Sequence, residues 1–256
     1  MDDRQLKLLW EAEENAVFQG WDFGYIRNRI REQPLPWDYH AIVEASLSEE
    51  TMLLDMGTGG GELLCSLRPP AGRTYATEAY PPNVELCRRT LPAYGIEVRQ
   101  IIEDDKLPFD SGMFDLVINR HESFSPEEVF RVLKPGGRFI TQQVGGRNNR
   151  ELARTLLGDD VGLTDSDFGL ASARQSLEAA GFAIERAEEC FPVPTFLDVG
   201  ALVYFARIIE WEFPGFSVER CFGALRKLHE EAVRVGGIAT VEHRFLLTAV
   251  KPDETR

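Results

Sequence analysis

The chain is short of cysteine, with four in 256 residues, at positions 65, 87, 190 and 221. None forms a Cys-x-x-Cys pair or stands beside paired histidines, which argues against a metal site and against a disulfide framework. Small buried hydrophobes are the expected role of all four. Long apolar runs are missing too, none approaching the ~20 residues that a membrane-spanning helix needs. The opening MDDRQLKLLWEAEENA is acidic and lacks the basic-then-apolar order of a secretion signal, so a cytoplasmic protein is expected. Positive charge is scarce: 28 Lys and Arg against 42 Asp and Glu leave −14. A nucleic-acid backbone attracts a basic face, so this balance disfavours nucleic acid as a partner.

What is present is a core-forming composition, 43% hydrophobic and 27% charged. The length suits one large domain, or a domain with an insertion. Short apolar runs alternate with helix-like segments through the middle of the chain. TMLLDMG (51–57), RTYATEA (73–79), GIEVRQI (95–101), FDLVINR (114–120) and RFITQQV (138–144) read as strands. GELLCSL (61–67), PNVELCRRTL (82–91) and SPEEVFRVL (125–133) read as helices, the last with Ser125 as N-cap and Pro126 at its first position. KPGG (134–137) reads as a turn, and FAIERAEEC (182–190) and EHRFLLTAV (242–250) as two later strands. Alternation at this spacing predicts parallel βαβ units. The expected fold is α/β, a Rossmann-like doubly wound and mostly parallel sheet with helices on both faces. Ligands then bind beyond the carboxyl ends of the strands.

Two segments lie outside that core. Residues 1–50 are aromatic and charged, and are expected to be partly helical. Residues 191–242 carry two helical stretches broken at FPGF (213–216). The expected organisation is an N-terminal helical lid or cover over 1–50, then a single domain over 51–256 with a helical substrate-side insertion at 191–242. Trp21, Phe23, Tyr25, Trp37 and Tyr39 would supply the apolar area of a lid, or else an extra layer packed on the core.

The stretch LLDMGTGGGELL (53–64) ends a strand in an acid and then meets glycine at 57, 59, 60 and 61. No lysine follows, so it is not a phosphate-binding loop of the G-x-x-x-x-G-K-[ST] type. A dinucleotide fingerprint needs glycine where Glu62 stands. The pattern is instead Asp55-x-Gly57-x-Gly59-x-Gly61, and an acid at its entrance suits a cationic ligand. Glu78 ends the second strand 21 residues after Gly57, where a carboxylate can bridge ribose hydroxyls. A nucleoside with a positive, phosphate-free tail fits both acids, and S-adenosylmethionine is such a molecule.

Four stretches in order resemble the class I S-adenosylmethionine-dependent methyltransferases, of the type 11-like, small-molecule group: LLDMGTGGGE, ATEAYPPNVELC, EDDKLPFDSGMFDLVINR and EEVFRVLKPGGRFIT. The resemblance runs from about residue 51 to 144. It implies that Asp55 and the turn of Gly57, Thr58, Gly59 and Gly61 hold the methionyl end. It implies that Glu78 holds the ribose and that Ala79 and Tyr80 flank the adenine. Glu103, with Asp104 beside it, would face the adenine amino group, and Asn119 and Arg120 would lie near the methyl donor.

Methyl transfer from a sulfonium needs a base only when the nucleophile must lose a proton. NRHESF (119–124) holds the best candidates for chemistry, His121 as a general base and Glu122 as a partner of Arg120 or of a substrate cation. The alternative for His121 is to pack or orient the loop. Arg147, Asn148 and Asn149 in GGRNNRE (145–151) are either polar substrate contacts or a solvated loop. The expected activity is methyl transfer to a small molecule in a covered pocket. The alternatives are an RNA or protein methyltransferase, or a non-catalytic S-adenosylmethionine-binding protein. Acceptor atom and oligomeric state are not legible.

Overall fold

The short apolar runs become strands of one sheet in the computed structural model, which describes residues 1–18, 23–102, 106–159 and 167–253. They are β1 (Leu53–Met56), β2 (Thr74–Glu78), β3 (Ile96–Gln100), β4 (Phe114–Arg120), β5 (Leu133–Val144), β6 (Ala183–Cys190) and β7 (Arg244–Val250). Their order across the sheet is β3-β2-β1-β4-β5-β7-β6. β1 pairs in parallel with both β2 and β4, β2 with β3, and β4 with β5. The chain thus builds outward from β1 to one side, then returns to build on the other. That reversal opens a crevice at the carboxyl ends of β1 and β4. The expected Rossmann-like, mostly parallel α/β sheet is the fold observed.

Burial explains the sequence pattern of the central strands. All four residues of β1, and Leu116 to Asn119 of β4, are buried. Strands covered on both faces carry apolar runs instead of alternation. The helix after β4 starts at its expected cap, and the helix expected over 82–91 starts one residue earlier. Ser125 accepts the Glu128 backbone N–H ahead of Pro126–Val132, and Pro81 opens the helix Pro81–Thr90.

The expected KPGG turn lies within β5. Phe114 pairs with Leu133, whereas Leu116 pairs with Arg138. Residues 134–137 are therefore looped out against one residue of β4, as a bulge. Gly136 adopts φ 74°, a conformation open to glycine at little cost. Its N–H donates to the Lys251 carbonyl at 2.8 Å.

The sheet belongs to a compact unit made of Pro36–Val144, Phe168–Glu189 and Phe245–Arg256. Its core gathers Leu54, Phe114, Val117, Phe139, Leu177 and Phe245. A second unit comprises Met1–Leu35, Gly145–Asp167 and Cys190–Arg244. It contains the helices Asp3–Glu14, Arg150–Leu157, Val199–Ile208 and Val218–Val235. Two-residue strands Ile30–Arg31, Thr195–Phe196 and Ile238–Ala239 form a small antiparallel sheet in it. The fully buried Trp10, Tyr204 and Phe213 belong to its own core. Arg29 ties two helices of this unit together, reaching Asp198 at 2.8 Å and Glu13 at 2.9 Å. The start of the chain and the segment before the last strand are thus parts of one body. Among the described residues, no helix is long and apolar enough to cross a membrane.

Candidate cofactor and active site

The glycine run forms a tight turn at the carboxyl end of β1. Gly57, Gly59 and Gly61 adopt φ 67°, 62° and 86°, which side-chain-bearing residues rarely take. The turn also admits close approach. A Cβ on Gly57 would lie 2.3 Å from Glu122 Cγ, and one on Gly61 would lie 2.6 Å from Leu91 Cδ2. Glycine is required at both positions by backbone angle and by space.

Asp55 lies buried at the base of this turn, 4% exposed. Burial pushes its carboxyl up to about 7, and the neighbouring Glu78 charge adds to the rise. The Thr58 hydroxyl and the Arg120 guanidinium oppose it, although Thr58 Oγ1 makes no well-formed hydrogen bond. Thr77 Oγ1, on β2, is likewise buried without a partner. Buried polar atoms are nearly always paired, so two orphans, one in the turn and one on the adjoining strand, mark a place for a polar ligand. An under-compensated carboxylate is better matched by a cation than by a phosphate.

Glu78, at the end of β2, is also buried. Its Oε2 accepts the Gly59 N–H at 2.8 Å, and its Oε1 accepts the N–H groups of Ala79 and Tyr80, each at 2.9 Å. One carboxylate therefore fixes both the glycine turn and the start of the next helix. A carboxylate offers about four acceptor sites, so about one remains for a ribose hydroxyl. Ala79 and Tyr80 are exposed beyond it. Cys87, in the helix Pro81–Thr90, donates its thiol to the Gly59 carbonyl at 3.1 Å. Burial pushes that thiol up to about 12, so it stays a neutral donor.

On the other side of β1, Asn119 and Arg120 close β4. Asn119 is fully buried, and its side chain faces its neighbours in the sheet. Oδ1 accepts from Thr141 Oγ1 at 3.0 Å and from Gln143 Nε2. The Asn119 carbonyl accepts from Tyr39 Oη at 3.1 Å. Tyr39 ionises well above the usual phenol range, through burial first and the Asp55 charge second. His121 follows with φ 60°, in the left-handed region. Glu122 lies over Gly57, and its Oε1 accepts the Ser123 N–H at 3.1 Å. Asp55, Gly57, Thr58, Gly59, Gly61, Glu78, Asn119, Arg120, His121 and Glu122 all stand at the carboxyl ends of β1, β2 and β4. Glu103 and Asp104 lie outside the described residues.

Sequence reasoning named Trp37 and Tyr39 only as apolar area of a lid or an extra layer, and passed over Gln142 and Gln143. Trp37 Nε1 donates to Gln142 Oε1 at 2.8 Å, and Gln143 Nε2 donates to the Glu122 carbonyl at 2.9 Å. The available signal was QQ at the end of an otherwise apolar strand. Two amides there must have buried partners. Asn148 and Asn149 are neither solvated nor turned outward. They are buried, and each donates its Nδ2 to Glu212 at 2.7 Å.

Residues 54–141 match the family model of the methyltransferase domain. A demethylmenaquinone methyltransferase of Thermus thermophilus is 34% identical over 116 residues, covering 41% of this chain and 53% of that relative. The chain thus spans about half the length of the curated relative it matches. The YcgJ protein of Bacillus subtilis superposes with a TM-score of 0.57 at 18% identity, over 84% of this chain and 98% of the other. A SAM dependent methyltransferase from Aquifex aeolicus gives 0.50 at 15% identity, over 98% and 99%. At such identities the structural likeness is one of fold.

Proposed function

We propose that this chain, whose residues 54–141 match the family model of the methyltransferase domain, transfers a methyl group from S-adenosylmethionine to a small-molecule acceptor. The observation that carries the reading is the buried Asp55 carboxylate, raised to about 7, beneath a glycine turn that Glu78 pins from the next strand. A cationic nucleoside satisfies both acids.

Asp55 and the turn from Gly57 to Gly61 hold the methionyl end, Glu78 the ribose, and Ala79 and Tyr80 the adenine side. Glu103 and Asp104 are assigned to the adenine amino group. When bound, the cofactor supplies a methyl on a sulfonium, which is already a good leaving group. The protein's task is then to position the acceptor in line, an effect worth up to ~7–11 kcal/mol. Asn119 keeps the ends of β4 and β5 together, while Arg120 and Glu122 flank the turn.

The name of the Thermus thermophilus relative supports a small-molecule acceptor, and the charge of −14 counts against RNA. S-adenosylmethionine labelled in its methyl group, offered with small hydroxylated aromatics including quinols, with RNA and with protein, tests the reading. Label on a small molecule is the expected result. Label on RNA or protein alone overturns the acceptor class. Binding of S-adenosylhomocysteine without turnover on any set supports a non-catalytic binding protein instead.

A further inference from the structure

Trp37, Gln142 and His121 form a directed chain of hydrogen bonds whose polarity can be read from donor and acceptor inventory alone. An indole N–H can only donate. Trp37 Nε1 lies 2.8 Å from a side-chain terminus of Gln142, with both residues buried. That terminus must be the oxygen. The other terminus of Gln142 is then its NH2 group, which can only donate. It lies 3.0 Å from His121 Nε2. Nε2 must accept, so the ring proton resides on Nδ1. Gln142 also grips the histidine through the backbone, its carbonyl accepting the His121 N–H at 2.9 Å. His121 is held at φ 60°, a conformation that persists only where the surroundings impose it.

We infer that Gln142, braced by Trp37, is a positioning residue that locks His121 as the neutral Nδ1–H tautomer, so that His121 serves the reaction as a hydrogen-bond donor and not as a general base. The reasoning follows from the lone pair. A neutral imidazole has one basic nitrogen, and here that nitrogen already accepts from Gln142. Protonating Nε2 would set an N–H against the Gln142 NH2. The other nitrogen carries the proton, so whatever group it meets, it meets as a donor. An acceptor molecule offering an oxygen lone pair matches that role. The proton that a hydroxylated acceptor loses on methylation then leaves to a base other than His121. This deepens the methyltransferase reading and rests on it.

Long-range proton–nitrogen correlation on protein labelled with 15N-histidine reports the tautomer directly. The chain has four histidines, and His121→Gln identifies the relevant signals by their loss. The wild type is expected to show His121 as the Nδ1–H form. Gln142→Glu keeps the shape and an acceptor for Trp37, but presents a carboxylate to the ring. His121 is then expected to switch to the Nε2–H or doubly protonated form. Trp37→Phe removes the donor that orients the amide and is expected to give a mixture of tautomers, which keeps the test intact if the carboxylate variant fails to fold. Finding His121 as Nε2–H in the wild type, or unchanged in both variants, overturns the inference. Calorimetry with S-adenosylhomocysteine on the wild type is a separate arm. No binding there defeats the cofactor reading while leaving the tautomer result to stand or fall alone.

Discussion

Glu78 accepts the backbone N–H of Gly59, 19 residues earlier in the chain, at 2.8 Å. With its other oxygen it accepts two further N–H groups, from Ala79 and Tyr80. The residue expected to hold the ribose is therefore also the residue that shapes the turn for the methionyl end.

Replacing it should disturb both. Glu78→Ala leaves three backbone donors without their acceptor, and hydrogen bonds to charged groups are worth about 1.5–3 kcal/mol each. Weakening of S-adenosylhomocysteine binding by at least ~1.5 kcal/mol, about tenfold, is expected by calorimetry. Unchanged affinity in a folded variant removes Glu78 from the site.

Asp55 links stability to pH with a definite sign. Its native carboxyl titrates at about 7, against an ordinary value of 3.8. Folding therefore favours the protonated acid. The resulting stabilisation is complete below the unfolded value, and it is lost as pH rises through about 7. Asp55→Asn mimics the protonated form, so its thermal midpoint should exceed that of the wild type at pH 8, with the gap closing toward pH 4. A cation beside Asp55 lowers its pKa, and the carboxyl is about half protonated at pH 7, so binding S-adenosylmethionine near pH 7 should release up to about half a proton. Calorimetry in buffers of different ionisation enthalpy measures that release. No release in the wild type, or equal release in Asp55→Asn, shows that Asp55 does not face the charge.

Glu212 anchors the second unit by accepting from Asn148 and Asn149, each at 2.7 Å. Those amides in turn hold the chain near the final strand. Thr240 donates to Asn149 at 2.8 Å, and the His243 N–H donates to Asn148 at 2.7 Å. Glu212→Gln sets an amide NH2 against an amide NH2, so at least one donor loses its partner, a cost of about 1–3 kcal/mol. Faster hydrogen exchange in the helix Arg150–Leu157, whose N-cap is Asn149, is the expected readout. Unaltered exchange there assigns Glu212 no structural part.

Local signals carried the sheet. LLDMG and FDLVINR announced buried strands because strands covered on both faces carry apolar runs, and such runs are readable without partners. Asp55 and Glu78 were legible because each is an acid at the carboxyl end of its strand, where this sheet topology places a ligand crevice. The KPGG turn was visible as a turn, but its place as a bulge inside β5 was not. A bulge is defined by what stands opposite, here a single residue of β4.

The sequence by itself determined the α/β class, the glycine turn and the acidic pair, since each depends on residues close in the chain or on a repeated period. Only the tertiary structure decided what the polar side chains at the strand ends do. Gln142 stands 105 residues from Trp37 and 21 from His121. No local pattern relates the three. Their roles follow from which atom donates and which accepts, and that is settled when the fold brings them within 3 Å or so of one another. Likewise, Asn148 and Asn149 read as loop polarity until Glu212, more than 60 residues on, is placed between them.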